Sequence, residues 1–299
     1  MGIWRIHIKN DVSDGYNRED LLQFCQQEQL IGVGWVKITT RDDSYDAVKK
    51  AASVYPDSTR AIKAINAMRK MEIDDLIWTR LNGVYYLCRV NGLWKDSKPT
   101  DMHDKLDVSN YVNVEWLEIG MEDLVPGKVV SSFRPAASAQ SISGVEEISK
   151  YIWNKNKRDD YYSLSKNKMD IWSVLSAESI EELVILYLQV SKGFYIYSTT
   201  MKYATREYEC IMVNKEGVHA FPQVKSGSVS LYTDDYMEAI KRESTAQVYL
   251  FTTSENYRKN SSKNIYYLSK NELEDFIRNN RKILPDLTEY WIDLCGFYS

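Results

Sequence analysis

The sequence predicts two domains: an N-terminal α+β domain with a curved, barrel-like β-sheet, and a C-terminal α/β domain around a central mixed sheet. In the first part Asn82-Gly83 stands between two apolar runs, which is a strong hairpin pattern. The second part alternates helix and strand patterns, as α/β domains do. Between them, the small and polar segment 130–143 (VSSFRPAASAQSIS) is typical of an exposed linker.

Local patterns justify the elements of the first part. Residues 3–9 form an apolar-rich strand, and Asn17 can cap the helix that follows. The segment 30–36 alternates two glycines with apolar residues, which predicts a strand that other backbone approaches closely. The remaining predicted elements are helices over 44–53 and 57–70 and strands over 76–80, 84–90 and 112–119.

In the second part, helices flank and interrupt a set of short strands. A helix over 178–189 comes first, Thr233 can cap another, and Ser269 with Glu272 forms a capping box for the last. The predicted strands lie at 194–199, 208–213, 218–225, 247–251 and 265–268. This order describes an α/β domain around a mixed sheet.

Length and composition limit the class of protein. The chain has 299 residues, of which 44% are hydrophobic and 27% are charged, as expected of a folded chain with two domains. No apolar stretch is long enough to cross a bilayer and the first residues lack the apolar core of a signal peptide, so we expect a cytoplasmic protein without a membrane partner. Four scattered cysteines predict buried thiols rather than a zinc site or disulfides.

Net charge gives no simple indication of a nucleic-acid surface. The chain has a net charge of −4, and neither half of it is basic. A phosphate-binding surface must therefore be local. Two segments concentrate cations, and each fits a solvated charged loop equally well: Lys155, Lys157, Arg158, Lys166 and Lys168, and then Arg258, Lys259 and Lys263.

A carboxylate and a Gln-x-Lys pattern on neighbouring predicted strands suit the hydrolysis of a phosphodiester. This reaction needs a divalent cation, which prefers oxygen ligands, and it benefits from a lysine near the developing charge. Residues two apart on a strand share a face, so Gln223 and Lys225 can act together beside Glu209. Glu207 lies on the same face as Glu209 and is the alternative acid, but Glu209 borders the apolar run 210–213.

A pattern as short as Gln-x-Lys can occur in a sequence by chance. Asp, Glu or Gln followed two residues later by Lys occurs once more, at Asp96-Ser97-Lys98. That copy precedes Pro99 in a predicted loop and has no neighbouring strand that carries an acid. Gln223 and Lys225 end an apolar strand and follow an acid on the preceding strand, so their context favours a site.

The stretch 176–287, with ESIEELVILYLQ, YECIMV and QVK, resembles the PD-(D/E)xK nuclease superfamily, and most closely its Mrr-type restriction endonuclease branch. The resemblance implies a Mg²⁺ cofactor, with Mn²⁺ as a substitute, held by Glu209 and Gln223. It also implies a catalytic set of Glu182, Glu209, Gln223 and Lys225, in which Glu181 is the alternative to Glu182. Glutamate stands at 209 where the family usually has aspartate, and this changes the reach of the carboxylate.

The N-terminal part resembles the PUA-like or EVE-like domains found in front of some Mrr-type nucleases. The segments GIWRIHIK, IGVGW, DDLIWTRLNGVYYLCRVNG and VPGKVVSSFRP carry the likeness. It implies a pocket that accepts a flipped or modified base between aromatic rings. The candidates are Trp35, Trp78, Tyr86 and Trp94, although a tryptophan in a small barrel is more often part of the core.

Together these features predict a recognition domain over 1–136, a linker and helical segment over 137–170, and a nuclease domain over 171–299. The expected activity is that of a Mg²⁺-dependent endodeoxyribonuclease that cuts duplex DNA carrying a modified base, as in type IV restriction against phage. Cutting both strands favours a homodimer. The alternatives are a non-catalytic protein that binds modified nucleic acid with a degenerate nuclease fold, and an RNA-directed nuclease.

Overall fold

The structure is a computed structural model that describes residues 1–35, 38, 44–56, 58–94, 100–165, 169–203, 208–258 and 262–297, with the backbone alone at 201–203. The chain divides into two compact units, residues 1–167 and 168–299. Both units mix helices and strands. Outside the described residues lie the end of the predicted strand 30–36, the first residue of the predicted helix 57–70, the Asp96-Ser97-Lys98 copy, Lys166 with Lys168, Glu207 and Lys259.

The first unit is built on a six-stranded sheet that curls into a half-barrel. Its strands are β1 (Ile3–Ile6), β2 (Leu30–Val33), β3 (Leu76–Leu81), β4 (Val84–Gly92), β5 (Asn110–Gly120) and β6 (Ala139–Ser141). They are arranged in the order β2-β5-β4-β3-β1-β6, in which only β1 and β3 are parallel. A mixed α/β unit with a curled sheet was expected here, and the structure confirms it to that extent.

Turn chemistry and close packing explain the order of these strands. Asn82 and Gly83 have φ angles of 50° and 84°, so the β3–β4 hairpin turns through two left-handed residues, as the sequence predicts. A Cβ at Gly32 would lie 2.3 Å from the carbonyl oxygen of Asn110 in β5, so only glycine lets β2 approach β5 this closely.

Helices cover both faces of this sheet. They are α1 (Arg18–Gln27), α2 (Tyr45–Ala52), α3 (Ser58–Arg69), α4 (Asp101–Lys105), α5 (Gly127–Ser132) and α6 (Glu146–Lys157). Asn17 caps α1 in a reciprocal capping box with Asp20. Ala61, Ile65 and Met68 of α3 are fully buried and pack on the sheet, as their helical spacing predicts.

The predicted linker at 130–143 is wrong. Its first residues complete α5, and its last form β6, which pairs antiparallel with β1. The following helix α6 also belongs to this unit, because the Trp78 indole Nε1 donates to Ser149 Oγ at 3.0 Å. The boundary between units therefore lies at 167/168 and not at 136, since a short edge strand of small polar residues has the composition of a linker.

The second unit contains a five-stranded mixed sheet in the order β13-β11-β9-β8-β7. Its strands are β7 (Tyr195–Ile196), β8 (Met212–Val213), β9 (His219–Lys225), β11 (Gln247–Thr252) and β13 (Ile265–Tyr267). β9, β11 and β13 run parallel, and β8 is antiparallel to both of its neighbours. A separate two-stranded sheet pairs β10 (Leu231–Tyr232) with β12 (Tyr257–Arg258).

The helices of the second unit are α7 (Ile171–Val174), α8 (Ala177–Lys192), α9 (Met237–Arg242), α10 (Lys270–Asn279) and α11 (Asp286–Leu294). The Ser269 and Glu272 capping box begins α10 as predicted. Thr233 does not cap α9, because its hydroxyl donates to the carbonyl of Arg258 while residues 233–236 form a 3-10 turn. Across the described part of the chain, no helix is both long and apolar enough to cross a membrane.

All four cysteines are buried free thiols, as their scattered spacing predicts. Burial raises the pKa of Cys25 and of Cys88 far above the ordinary range. It raises the pKa of Cys210 and Cys295 to about 12. None of these thiols is ionised at neutral pH, and a protonated thiol is a poor nucleophile.

Trp78 gives a test of the core of the first unit. It is fully buried against α6, so Trp78→Phe removes buried volume and the hydrogen bond to Ser149. We expect the free energy of unfolding to fall by about 1–3 kcal/mol. Urea denaturation of the whole chain, with hydrogen exchange of the β3 amides read by mass spectrometry, measures this. Val54→Ala, at a side chain that is 59% exposed, is the control and should change it by less than about 0.5 kcal/mol.

Candidate functional site

Glu209, Gln223 and Lys225 form one cluster in the second unit. The Gln223 amide Nε2 donates to Glu209 Oε1 at 2.6 Å, and Lys225 Nζ lies 3.2 Å from the same oxygen. Two donors therefore converge on a single carboxylate oxygen. The sequence-predicted trio is brought together by the fold.

The end of β9 sets the environment of each member. Gln223 and Lys225 are two residues apart on β9 and point to the same face. Gln223 is fully buried and pairs with Leu250 of β11, whereas the Lys225 side chain is 39% exposed. This face of β9 therefore carries a buried amide at Gln223 and a partly exposed ammonium at Lys225.

Glu209 lies in a bend and not in a strand, contrary to the predicted strand over 208–213. β8 contains only residues 212–213, and its pairing with β9 ends where Met212 faces Ala220. Two residues further along β9 is Pro222, which has no N–H to donate. Its carbonyl instead accepts the N–H of Glu209 at 2.9 Å. Proline thus ends the ladder, and this one bond places Glu209 beside Gln223. Glu207 lies outside the described residues.

A cavity of about 540 Å³ opens next to Glu209. One wall carries the carboxylates of Glu178, Glu181 and Glu182 from α8. The rest of the lining includes Ile196 of β7. A cation near Glu209 would therefore meet negative charge on the helix side, while the remaining wall can exclude water.

Glu181 is better placed than Glu182 as the helix carboxylate. Both line the cavity, but Glu182 is exposed whereas Glu181 is half-buried. Burial, then the charges of Glu209 and Glu181, raise the pKa of Cys210 to about 12. Since that thiol feels both carboxylates, Glu181 lies close to the Glu209 end of the cavity. The structure therefore favours the alternative left open by the sequence.

Tyr236 is a further residue near Glu209 that sequence reasoning missed. Burial, then the charges of Asp235 and Glu209, raise the pKa of its phenol to about 12. Tyr236 is therefore protonated at neutral pH and cannot serve as a base. Tyr236 is 27 positions from Glu209 in the sequence and follows no local pattern with it, so no sequence signal marks it.

The residues present fit a hydrated divalent cation. Within the described ranges, no group of three or more His, Cys, Asp or Glu side chains is arranged to hold a metal ion. Gln223 Oε1, however, is buried and accepts no hydrogen bond from any described residue. An acceptor in this state costs about 1–3 kcal/mol. Mg²⁺ commonly keeps several waters and uses only one or two protein ligands. Glu209 and the amide oxygen of Gln223 match that limited ligand set.

The aromatic pocket predicted for the first unit is largely wrong. Trp78 is fully buried and Trp94 is 2% exposed, so both belong to the core. Tyr86 is 7% exposed and its ring packs edge-on against Trp116 at 5.7 Å. Trp35, by contrast, lines a cavity of about 580 Å³. The ring type of a residue identifies a possible stacking surface, but burial decides whether a ligand can reach it.

The Trp35 cavity contains polar groups that the sequence did not indicate. Asn10 Nδ2 donates to the backbone carbonyl of Asp107 at 2.5 Å, and both residues line the cavity with Tyr55 and Arg60. These residues come from distant loops and helix ends, so no spacing pattern connects them. A ring, a carboxylate and a guanidinium in one cavity can stack on a base and bond its polar edge.

Backbone geometry supports a ligand role for this cavity. Trp35 and Asp107 have φ angles of 67° and 48°, conformations that residues other than glycine seldom adopt. Such conformations cost on the order of 1–3 kcal/mol and cluster at binding sites. Trp94 supports this cavity from the core. Its Nε1 donates to Asn110 Oδ1, and the Asn110 amide donates to the carbonyl of Gly34, which lines the cavity.

Comparison of the chain with models of protein families, with curated proteins and with solved structures found no match in any of the three. The resemblances to Mrr-type nucleases and to PUA-like or EVE-like domains therefore stay predictions.

Gln223→Glu tests whether a cation can occupy the Glu209 site. A second carboxylate 2.6 Å from Glu209 would repel it, because two like charges share one buried position. In EDTA we expect the melting temperature to fall by roughly 3–8 °C. Mg²⁺ or Mn²⁺ should then raise it by more than in the wild type. Differential scanning fluorimetry measures both effects.

The matched control is Gln27→Glu, which makes the same charge change at an exposed position of α1. An equal metal-dependent rise in the two variants would mean that the cation does not bind at Glu209.

Proposed function

We propose that the second unit is a Mg²⁺-dependent nuclease that hydrolyses phosphodiester bonds, and that the first unit binds a nucleic-acid base. The observation that carries the nuclease proposal is the convergence of Gln223 and Lys225 on Glu209, with a buried amide oxygen beside them. Carboxylate and amide oxygens suit a divalent cation, and a nearby lysine favours the reaction. The acid-lined cavity at their side gives room for a cation and its waters.

Each residue of the cluster has a distinct role in this proposal. Glu209 and Gln223 hold the cation through carboxylate and amide oxygens. When bound, Mg²⁺ lowers the pKa of a coordinated water and neutralises phosphate charge. Lys225, which is partly exposed at the end of β9, stabilises negative charge on the phosphate or orients the attacking water. Glu181 completes the negative side of the cavity.

Duplex DNA with a modified base is the proposed substrate. The Trp35 cavity is large enough for a base, and its conformationally unusual residues suit selective recognition. A base must leave the helical stack to reach such a cavity, and this is easier for a base whose pairing is weakened. Cleavage that depends on a modified base is the activity of type IV restriction against phage. Cutting both strands would involve a second copy of the chain.

A non-catalytic reader of modified nucleic acid is the second candidate, and one observation favours it. Gln223 Nε2 and Lys225 Nζ already satisfy Glu209 Oε1 without a cation. This candidate predicts binding of modified DNA but no turnover in the wild type. An RNA-directed nuclease would instead prefer a substrate with 2′-hydroxyl groups, so competition between ribose and deoxyribose strands separates it from the others.

Lys225→Met tests the nuclease proposal. Because the ammonium is expected to stabilise charge in the transition state, we expect cleavage to fall by about 100-fold or more. Glu209→Gln should act in the same direction by weakening the cation site. The assay uses labelled duplexes with and without 5-hydroxymethylcytosine, in Mg²⁺ or in EDTA, with circular dichroism as the check on folding.

Lys215→Met, at an exposed turn between β8 and β9, is the matched control and should leave cleavage unchanged. Full activity in Lys225→Met would remove that lysine from the reaction. Failure of the wild type to cut any tested duplex or RNA, while still binding it, would favour the non-catalytic reader.

Trp35→Ala tests the base-binding part. Loss of one stacking ring costs about 1–3 kcal/mol, so affinity for a duplex with the recognised base should fall by about 5- to 100-fold. Affinity for the unmodified duplex should change little. Fluorescence anisotropy with a panel of modified duplexes measures both, and Tyr45→Ala, at an exposed ring of α2, is the control. Equal losses for modified and unmodified duplexes would contradict selective reading by Trp35.

A further inference from the structure

Arg5 of β1 carries a buried charge that no acid neutralises among the described residues. Its side chain is fully buried, and its Nη1 donates to the carbonyl of Ala137. Its Nε and Nη2 have no hydrogen-bond partner in the described part of the structure. Burial, then Arg80, lower its pKa to about 10, so the guanidinium remains charged at neutral pH. A buried charge in this state is strongly destabilising unless something pairs with it.

A second guanidinium lies beside it. Arg5 and Arg80 lie 5.5 Å and 5.1 Å from the centre of the Phe133 ring. Arg80 Nη1 donates to the Tyr85 hydroxyl at 2.8 Å and is 4.0 Å from a carboxylate oxygen of Glu122. That single carboxylate is exposed, so it compensates two guanidinium groups poorly.

Arg80 lines a cavity of about 350 Å³ whose charged lining is entirely basic, whereas the buried Arg5 does not belong to that lining. His7, Lys9, Arg18 and Arg80 line it, together with the β3–β4 turn. No acid belongs to the described lining. The carboxylate of Glu19 is nearby, but it accepts a hydrogen bond from Asn82 Nδ2 at 2.5 Å.

His7 shows how positive the surroundings are. Burial, then Arg5 and Lys9, lower its pKa to about 4, and Arg80 adds to this effect. The ring is therefore neutral at pH 7, with Nε2 3.3 Å from the carbonyl of Pro135. An anion in the cavity would stabilise the protonated ring and raise this pKa.

We propose that this basic cavity is a binding site for a phosphate group. The guanidinium groups of Arg18 and Arg80 and the ammonium of Lys9 offer the hydrogen-bond donors that phosphate oxygens require, and an arginine can bond two of them at once. The negative charge of a phosphate would also offset the positive potential in which the buried charge of Arg5 lies. The site is built from the ends of β1, β3 and the turn that follows β3, which are rigid elements of the sheet.

The position of the site identifies the phosphate as part of a nucleic-acid strand. His7 and Lys9 line both this cavity and the Trp35 cavity, so the two adjoin. A strand whose base enters the Trp35 cavity can therefore place its own or a neighbouring phosphate against Arg80. This assignment of the source rests on the base binding proposed above, whereas the phosphate chemistry does not.

Inorganic phosphate is the first probe. In phosphate-free buffer of fixed ionic strength, phosphate should raise the melting temperature of the wild type and shift the His7 ring titration, read by NMR, to higher pH. Arg80→Met should lose the phosphate-dependent rise. An arginine that is only structural would instead give a variant of altered stability with the same rise as the wild type.

The salt dependence of DNA binding is the second probe. Each lost phosphate contact reduces the slope of log affinity against log salt by about 1. Arg80→Met and Arg18→Met should both show this reduction, with equal loss of affinity for modified and unmodified duplexes. Arg18 is exposed, so its variant folds even if Arg80→Met does not. Lys63→Met, an exposed cation of α3 outside both cavities, should leave the slope unchanged.

The outcomes separate this site from base reading. A reduced slope supports a strand phosphate, and it does so even if Trp35→Ala fails to change selectivity, in which case the base-binding proposal alone is lost. A phosphate-dependent rise that Arg80→Met abolishes, with unchanged slopes, supports a phosphate site but assigns it to a free phosphate or nucleotide. Unchanged slopes together with no response to inorganic phosphate overturn the proposal.

Discussion

The candidate active site depends on one missing hydrogen-bond donor. Pro222 lies within β9, where a residue with an N–H would continue the ladder with β8. Because proline cannot donate, the chain before β8 leaves the ladder, and Glu209 bonds to the Pro222 carbonyl from a bend. A regular strand would have set the Glu209 side chain by alternation alone. The bend instead brings its carboxylate into contact with Gln223 and Lys225.

The cluster could be predicted because two of its members obey a local rule. Gln223 and Lys225 share a face through the period of a strand, and the turn at 214–217 fixes which segment lies opposite them. The choice between Glu181 and Glu182 could not be made in this way. Adjacent helix residues differ by about 100° in direction, so the packing of α8 on the sheet decides which one is close.

In the first unit, local chemistry predicted the elements, but burial decided their roles. The Asn17 cap and the Asn82-Gly83 turn depend on neighbours in sequence and were predicted correctly. Trp78 and Trp94 look like stacking platforms in the sequence, yet the curled sheet encloses both. The buried guanidinium of Arg5 could not be predicted for the same reason. The groups around it come from segments more than 70 residues away, so the sequence does not indicate that no acid among the described residues neutralises it.

The two cavities of the first unit also show why net charge was a poor guide. The chain is acidic as a whole, but the fold gathers basic side chains at the ends of β1 and β3. In the predicted cationic segment at 155–158, the charge of Lys157 is instead compensated by an ion pair with Glu115 at 2.6 Å. The local electrostatic potential depends on where the fold places charged side chains. The net charge is a sum over the whole sequence and does not show such local differences.

The burial of every native thiol has a practical consequence. Maleimides and spin-label reagents react with exposed thiolates, and Cys25, Cys88, Cys210 and Cys295 offer neither exposure nor ionisation at neutral pH. A single cysteine introduced on the surface of each unit can therefore be labelled while the native sequence is otherwise kept. Each unit would then carry its own probe, so that ligand binding by either unit can be followed separately.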